Sequence, residues 1–432
     1  VSKAFVKVSS KEAETLPPAL EAVSADLHAD FTNNQWYCHQ ARQTVFFTAF
    51  TNEVHDLDNL KQIAARLGLL APQLTTGYLG ARAHEPLADN ILSRICHIET
   101  VDDLDAYPEN WELGGRDIFT DRDLPLFRVR AVVRRGGPDG EGRRSAILVL
   151  ATHALLEGAD AALLSRSRSV PRGAVTARPD KTSLLQRLRY GATAAVLVPL
   201  QMLAASFLAP RKVDIGFRAL AIEKERIRRA AAALNVSRRT LMFALVAYGL
   251  NNKGAGFSSR TISTIYADMD ATSETQTNDT FFQFRMIDAK LKVCDDFAAF
   301  VREVDETLAR AESRNMNATQ SLLNAMFFMH RRLQAMLPFL YTERFFRFSA
   351  GYHLTLSLVP PQRLGGELTK DLLEPVYCGT HHPGINMCVF APGRIFITFN
   401  FCLHKALLPN VDKISALLDE IDPQPAVERN GG

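Results

Sequence analysis

The run Ser145 to Thr152, SAILVLAT, constrains the fold more than any other segment of this chain. From Ala146 to Thr152 every residue is apolar or small, with Ile, Leu and Val prominent, and the charged loop Arg134 to Arg144 precedes it. An apolar run this short, bounded by a polar loop and a turn, reads as a strand buried on both faces. His153 follows at its carboxyl end. From that end of a buried strand a side chain reaches a cleft without breaking the sheet. Four residues later Glu157 can fold back beside the histidine, and Gly158 permits a sharp reversal.

A neutral imidazole near pH 7 can take a proton from a hydroxyl or an amine, and a nearby carboxylate can hold the local architecture that orients it. His153 is therefore the candidate catalytic base, and this chemistry requires no nucleophilic serine or cysteine. Taken alone, the pattern also fits a hydrogen-bonded structural histidine, the commoner use of a lone histidine.

The segment His153 to Gly158, HALLEG, resembles the His-x-x-x-Asp-Gly signature of the CoA-dependent acyltransferase superfamily. That superfamily includes chloramphenicol acetyltransferase, plant acyltransferases, peptide-synthetase condensation domains and wax ester synthase/diacylglycerol acyltransferases. Three further stretches look most like the last branch. Pro125, Leu126 and Phe127 stand where it has Pro-Leu-Trp. HLTLSLVPP, from His353 to Pro361, resembles its Val-Ser-Asn-Val-Pro strand. GINMCVFAPGRIFITFN, from Gly384 to Asn400, resembles its late Gly-Leu-Asn hairpin. The pieces occur in the same order and cover most of the chain.

The resemblance implies an α/β fold with mixed sheets: two chloramphenicol-acetyltransferase-like domains with an active-site tunnel between them. It implies transfer of a long-chain acyl group from acyl-CoA, a co-substrate rather than a bound cofactor, to an alcohol or glycerolipid acceptor. His153 is then the general base. Glu157 and Gly158 shape the loop, Glu157 replacing an aspartate that makes a structural ion pair with an arginine. Asn386 could donate a hydrogen bond near the reacting carbonyl. The chain departs from the pattern at Thr152, where the first of paired histidines is expected, at Glu157, at Arg239 and Thr240 for Asn-Asp, and at Leu358 for Asn. Two other readings stay open: a condensation-type N-acyltransferase using a carrier-bound thioester, and a non-catalytic lipid-binding protein on the same fold.

Length and composition bound the rest. With 432 residues, 47% of them hydrophobic, the chain can bury two or three cores. The expected division is an N-terminal domain over 1–164, a crossover linker over 165–212 and a C-terminal domain over 213–432. The net charge of +3, from 50 basic and 47 acidic residues, gives no nucleic-acid signal. Cys38, Cys96, Cys294, Cys378, Cys388 and Cys402 form no Cys-x-x-Cys pair, so neither a zinc site nor a disulfide framework is expected, and a reducing compartment is the simpler reading. The amino-terminal VSKAFVKVSSKEAE lacks the apolar core of a secretory signal, which points to the cytoplasm. His381 and His382 have no acids or cysteines at ligand spacing, so no metal site is expected there.

Strands are expected at Thr44 to Ala49, Leu126 to Val133 and Ala146 to Thr152, with helices at Leu57 to Leu69 and from Gly158 to Leu164. In the second half, strands are expected at Val213 to Ala221, Thr261 to Ala267, Phe281 to Ile287, His353 to Val359 and Val389 to Phe401. Helices are expected at Glu223 to Leu234, Arg239 to Leu250, Asp296 to Ala311, Gln320 to Met336 and Val411 to Ile421. Met326, Phe327, Phe328 and Met329, with Phe339, Phe345, Phe346 and Phe348, suit a core or an acyl-chain channel. Between them the halves hold an uncharged segment, 190–210, flanked by Arg187, Arg189, Arg211 and Lys212. It is long enough to span a bilayer, yet a span would separate the halves that share the site. A helix lying peripherally on a membrane, or one buried on its own domain, fits it better.

Overall fold

A computed structural model describes residues 33–75, 86–104, 117–121, 123–137, 142–155, 183–208, 216–250, 261–268, 285–292, 294–312, 317–341, 345, 354–359, 372–380, 385–390, 394–401 and 411–422. The first half contributes α1 (Asn33–Gln40), β1 (Thr44–Thr51), α2 (Leu57–Leu70), α3 (Asp89–Ile95), β2 (Cys96–Val101), α4 (Asp117–Thr120), β3 (Phe127–Arg134) and β4 (Ser145–Thr152). Then come α5 (Leu184–Leu208), β5 (Gly216–Glu223), α6 (Lys224–Ala233), α7 (Arg238–Leu250), β6 (Thr261–Asp268), β7 (Arg285–Lys292), α8 (Phe297–Glu312) and α9 (Asn317–Met336). The chain continues with β8 (Leu354–Val359), β9 (Leu372–Thr380), β10 (Ile385–Phe390), β11 (Arg394–Phe401) and α10 (Val411–Ile421).

The first sheet has the order β2-β3-β4-β1-β9. β4 is its middle strand, antiparallel to β3 on one side and to β1 on the other, and every one of its residues is buried. The apolar run of the sequence is thus explained: no position of β4 meets water, so no alternation is needed. β2 runs parallel to β3 at one edge and, apart from buried Cys96, is exposed or half-buried along its length. Helix α2 begins at Asp56, whose carboxylate accepts the Asn59 N–H at 2.8 Å, and buries Leu60, Ile63, Ala64 and Leu67 on one face.

The second sheet has the order β5-β11-β10-β8-β6-β7, with β8 parallel to both β10 and β6. Helix α7 packs against α6, α8 and α10 and is buried from Thr240 to Gly249, which accounts for a segment that is apolar around its whole circumference. Ion pairs Arg226–Asp419 and Arg229–Asp422 tie α6 to the end of α10.

Among the described residues, most of the expected strands and helices are found within about three residues of their predicted ends. Two strands differ: the one expected at Phe281 to Ile287 is displaced toward the carboxyl end as β7 (Arg285–Lys292), and the single strand expected at Val389 to Phe401 is two, β10 and β11, which pair antiparallel with each other. The helix expected from Gly158 lies outside the described residues. Five of these helices and strands had no sequence expectation: α1, α3, α4, β2 and β9. β2 follows α3 directly, with no Gly or Pro to mark the change. β9 contains Pro375 and Gly379, which weigh against a strand. It is an edge strand, and its pairing with β1 shifts register between Ala49, opposite Val376, and Phe50, opposite Leu373, so Glu374 and Pro375 fall in the irregularity.

Residues from the range 213–432 complete the body of the first half. Besides β9, helix α9 packs against α1 and α5. Phe327 stacks on Tyr37 with ring centroids 4.3 Å apart, and Gln334 Nε2 donates to Gln40 Oε1 at 3.1 Å. The α9–α5 contact has a buried polar centre. His330 Nδ1 shares a hydrogen bond with the Tyr341 hydroxyl at 3.0 Å, and Nε2 lies 3.2 Å from Gln201 Oε1 of α5. Phe345 and Tyr341 pack their rings around it.

Burial pushes His330 down from its ordinary 6.5 to about 4. Between these values the unfolded chain binds a proton that the folded one refuses, so the contribution is fully present above pH 6.5 and is lost as the pH falls toward 4. Stability measured by urea unfolding should drop by up to about 3 kcal/mol across that window. His330→Gln should remove this part of the acid sensitivity.

Candidate active site

The carboxyl end of β4 is built by three neighbouring segments. Thr44 pairs with Thr152, and the β1–β4 ladder extends one rung further as the His153 N–H donates to the Gln43 carbonyl at 2.8 Å. Gln43 is placed by the cap of α1: Arg42 adopts φ 50, Arg42 N–H donates to His39 O, and Gln43 N–H donates to Cys38 O. On the other side the Thr152 N–H donates to Leu126 O at 3.1 Å.

Beyond Thr152 the chain turns at once. Leu155 N–H donates to Thr152 O at 3.1 Å, closing a four-residue turn with His153 second. The Thr152 hydroxyl, fully buried, accepts the Ala154 N–H at 3.3 Å. Ala154 and Leu155 are buried, whereas His153 keeps part of its surface open. The result is a partly exposed histidine on a fixed backbone, as a positioned base requires.

Pro125, Leu126 and Phe127 brace the same end. Leu126 N–H donates to Leu74 O at 3.1 Å while its carbonyl takes the Thr152 N–H. The side chain of Arg128 turns back beneath this segment, Nη1 donating to Pro125 O at 2.7 Å and to Phe127 O at 2.8 Å. Arg128 is the largest fully buried side chain described. Sequence reasoning missed it. The available signal was an arginine set inside the apolar run Leu126 to Val133, opposite Leu150 of β4.

The other expected site residues are placed as follows. Glu157 and Gly158 lie outside the described residues, as do His381, His382, Phe346 and Phe348. Asn386 belongs to β10 of the second sheet, in register with Leu356 of β8, and Leu358 is in register with Cys388. β9 of the first sheet lies against β10 and β11. Arg239 and Thr240 form the first turn of α7. The Thr240 hydroxyl donates to Asp305 Oδ1 of α8 at 2.7 Å, so it joins two helices of the second core. Of the aromatic group, Phe327 and Phe345 pack internally while Phe328 and Phe339 are exposed. Among the described residues no group of three His, Cys, Asp or Glu side chains could hold a metal ion.

No protein-family model matches the sequence, and no curated protein matches it. Solved structures do. The wax ester synthase/diacylglycerol acyltransferase from Marinobacter aquaeolei VT8 is 15% identical and covers 88% of this chain and 92% of its own, with a TM-score of 0.50. The TRI3 trichothecene 15-O-acetyltransferase from Fusarium sporotrichioides is 10% identical, with coverage of 90% and 94% and a TM-score of 0.55. The chain has the CoA-dependent acyltransferase/condensation fold. The EpoB NRPS cyclization-docking bidomain from Sorangium cellulosum shares it at 13% identity, with coverage of 96% and 88% and a TM-score of 0.51. At these identities the likeness establishes fold.

Within this fold Thr152 has a definite physical role: its hydroxyl fixes the turn that presents His153. Thr152→Val keeps the shape but leaves the buried Ala154 N–H without its acceptor. It should cost about 1–3 kcal/mol in urea unfolding, and Thr152→Ser should restore most of it.

Proposed function

We propose that the chain is an acyl-CoA-dependent acyltransferase that moves a long-chain acyl group to an alcohol or glycerolipid acceptor. The observation that carries this reading is His153, a partly exposed residue on a backbone held from three sides at the end of a buried central strand, within the CoA-dependent acyltransferase/condensation fold. In the reaction His153 takes the hydroxyl proton of the acceptor as its oxygen attacks the thioester carbonyl. The C–S bond then breaks, and the proton passes to the departing CoA thiolate. Asn386 or a nearby backbone N–H stabilises the tetrahedral oxyanion. The site lies in a tunnel between the two sheet-bearing domains.

The loop residue Glu157 acts structurally. With Gly158 it shapes the loop after His153 and stays outside the proton cycle.

The test is thiol release from a panel of acyl-CoAs offered long-chain alcohol, diacylglycerol or amine acceptors. Acceptor-dependent release should fall by about 10²–10⁴-fold in His153→Ala, with the melting curve unchanged; an undiminished rate removes His153 as the base. Preference for an amine and a carrier-bound thioester would turn the reading toward condensation chemistry, and no turnover with any pair toward lipid binding alone.

A further inference from the structure

A helix that packs one stripe on its own protein ordinarily turns polar residues outward. Helix α5 does not. Its inner stripe, Ala194, Val198 and Ala205, is buried, and Gln201 on the same side meets His330. On the opposite side Val196, Leu200 and Leu203, at helical spacing, are 61%, 55% and 57% exposed. Ala192 and Pro199 beside them are exposed too. Leu184, Leu185 and Leu188 prolong the exposed apolar surface through the first turns. The few polar side chains do not relieve it: Gln201 bonds inward, and the Thr193 hydroxyl donates to the Arg189 carbonyl of its own helix at 2.9 Å. Only 17% of the most apolar window of α5 is buried. A solvated apolar face of this extent marks an interaction surface.

The charges around it have one sign. Arg187 and Arg189 are exposed on the amino-terminal turns, and Arg211 and Lys212 follow the helix in sequence. No aspartate or glutamate occurs between Asp180 and Asp214. We infer that α5 docks this chain on an anionic lipid bilayer, its outer face in the boundary between headgroups and acyl chains and its arginines against lipid phosphates. The helix lies in the surface and does not cross it. Its inner stripe is fixed to α9, which carries Arg331 and Arg332, and Pro199 leaves the Ala195 carbonyl without its helical N–H, a group that needs water. A second copy of the chain is a poorer occupant, since pairing two such helices in either direction brings basic ends together. The inference is independent of the transfer reaction.

The test is co-sedimentation of the full chain with vesicles of phosphatidylcholine alone, or of phosphatidylcholine mixed with phosphatidylglycerol. Binding to the mixed vesicles is expected, with much less to phosphatidylcholine. Combined Val196→Ser, Leu200→Ser and Leu203→Ser should weaken partition about a hundredfold without lowering the melting temperature, because all three side chains are exposed. Arg187→Gln and Arg189→Gln should each weaken it about fivefold, on mixed vesicles only. Failure to bind either vesicle overturns the inference, as does equal binding by the serine variant. A dimer seen by sedimentation equilibrium, dissolved by the serines and formed by a chain that ignores vesicles, would assign the face to self-association and overturn it as well.

Discussion

The complete burial of β4 governs the architecture around the histidine. A strand with no wet face and two hydrogen-bonded neighbours can end only where those neighbours permit; here one side holds its last residue, Thr152, and the other holds the residue after it, His153. β1 offers the Gln43 carbonyl and the segment before β3 offers the Leu126 carbonyl, so the chain is gripped on both sides as it turns. The catalytic candidate inherits its position from a sheet that serves primarily to exclude water. Precision at an active site commonly arises this way, from rigid elements whose own packing locks the first residue beyond them.

The same end of the sheet holds a buried charge. Arg128 could have been any apolar residue if β3 needed only to fill space, since its neighbours Phe127 and Val129 are fully buried. Instead its guanidinium takes two main-chain carbonyls from the segment that also receives β4. Groups of this kind stabilise little on balance, but they discriminate strongly between one backbone arrangement and its near alternatives. Arg128 therefore fixes the local path of residues 125–128 rather than adding bulk to the core.

Much of this was legible in the sequence because the signals were local. Ala146 to Thr152 announces a doubly covered strand, and Val411 to Ile421 an amphipathic helix, from residue pattern alone. His153 could be singled out because a strand end and a turn residue adjoin it. The rest was not local. β9 becomes a strand only because β1 has a free edge and its Pro375 falls where pairing is irregular. Thr240 read as a departure from a family pattern, whereas its partner Asp305 lies on another helix far along the chain. Arg128 looked like an ordinary charged residue until the carbonyls it caps were known. Exposure of the outer side of α5 was likewise invisible, since the uncharged segment from residue 190 onward reads the same whether covered or bare.

The placement of β9 has a consequence for biosynthesis. Ribosomes deliver β1 some three hundred residues before β9, and through that stretch of translation the edge of β1 that β9 will occupy has no partner. That edge belongs to TVFFTAFT, an uncharged aromatic and β-branched segment of the type that pairs readily with strands of other chains. The nascent protein thus carries an adhesive strand until residues 372–380 emerge, and release of a chain cut before Leu372 would leave that edge open for good. Closure of the first sheet by a strand so distant in sequence makes the two halves a single folding problem, solved only once β9 has been made.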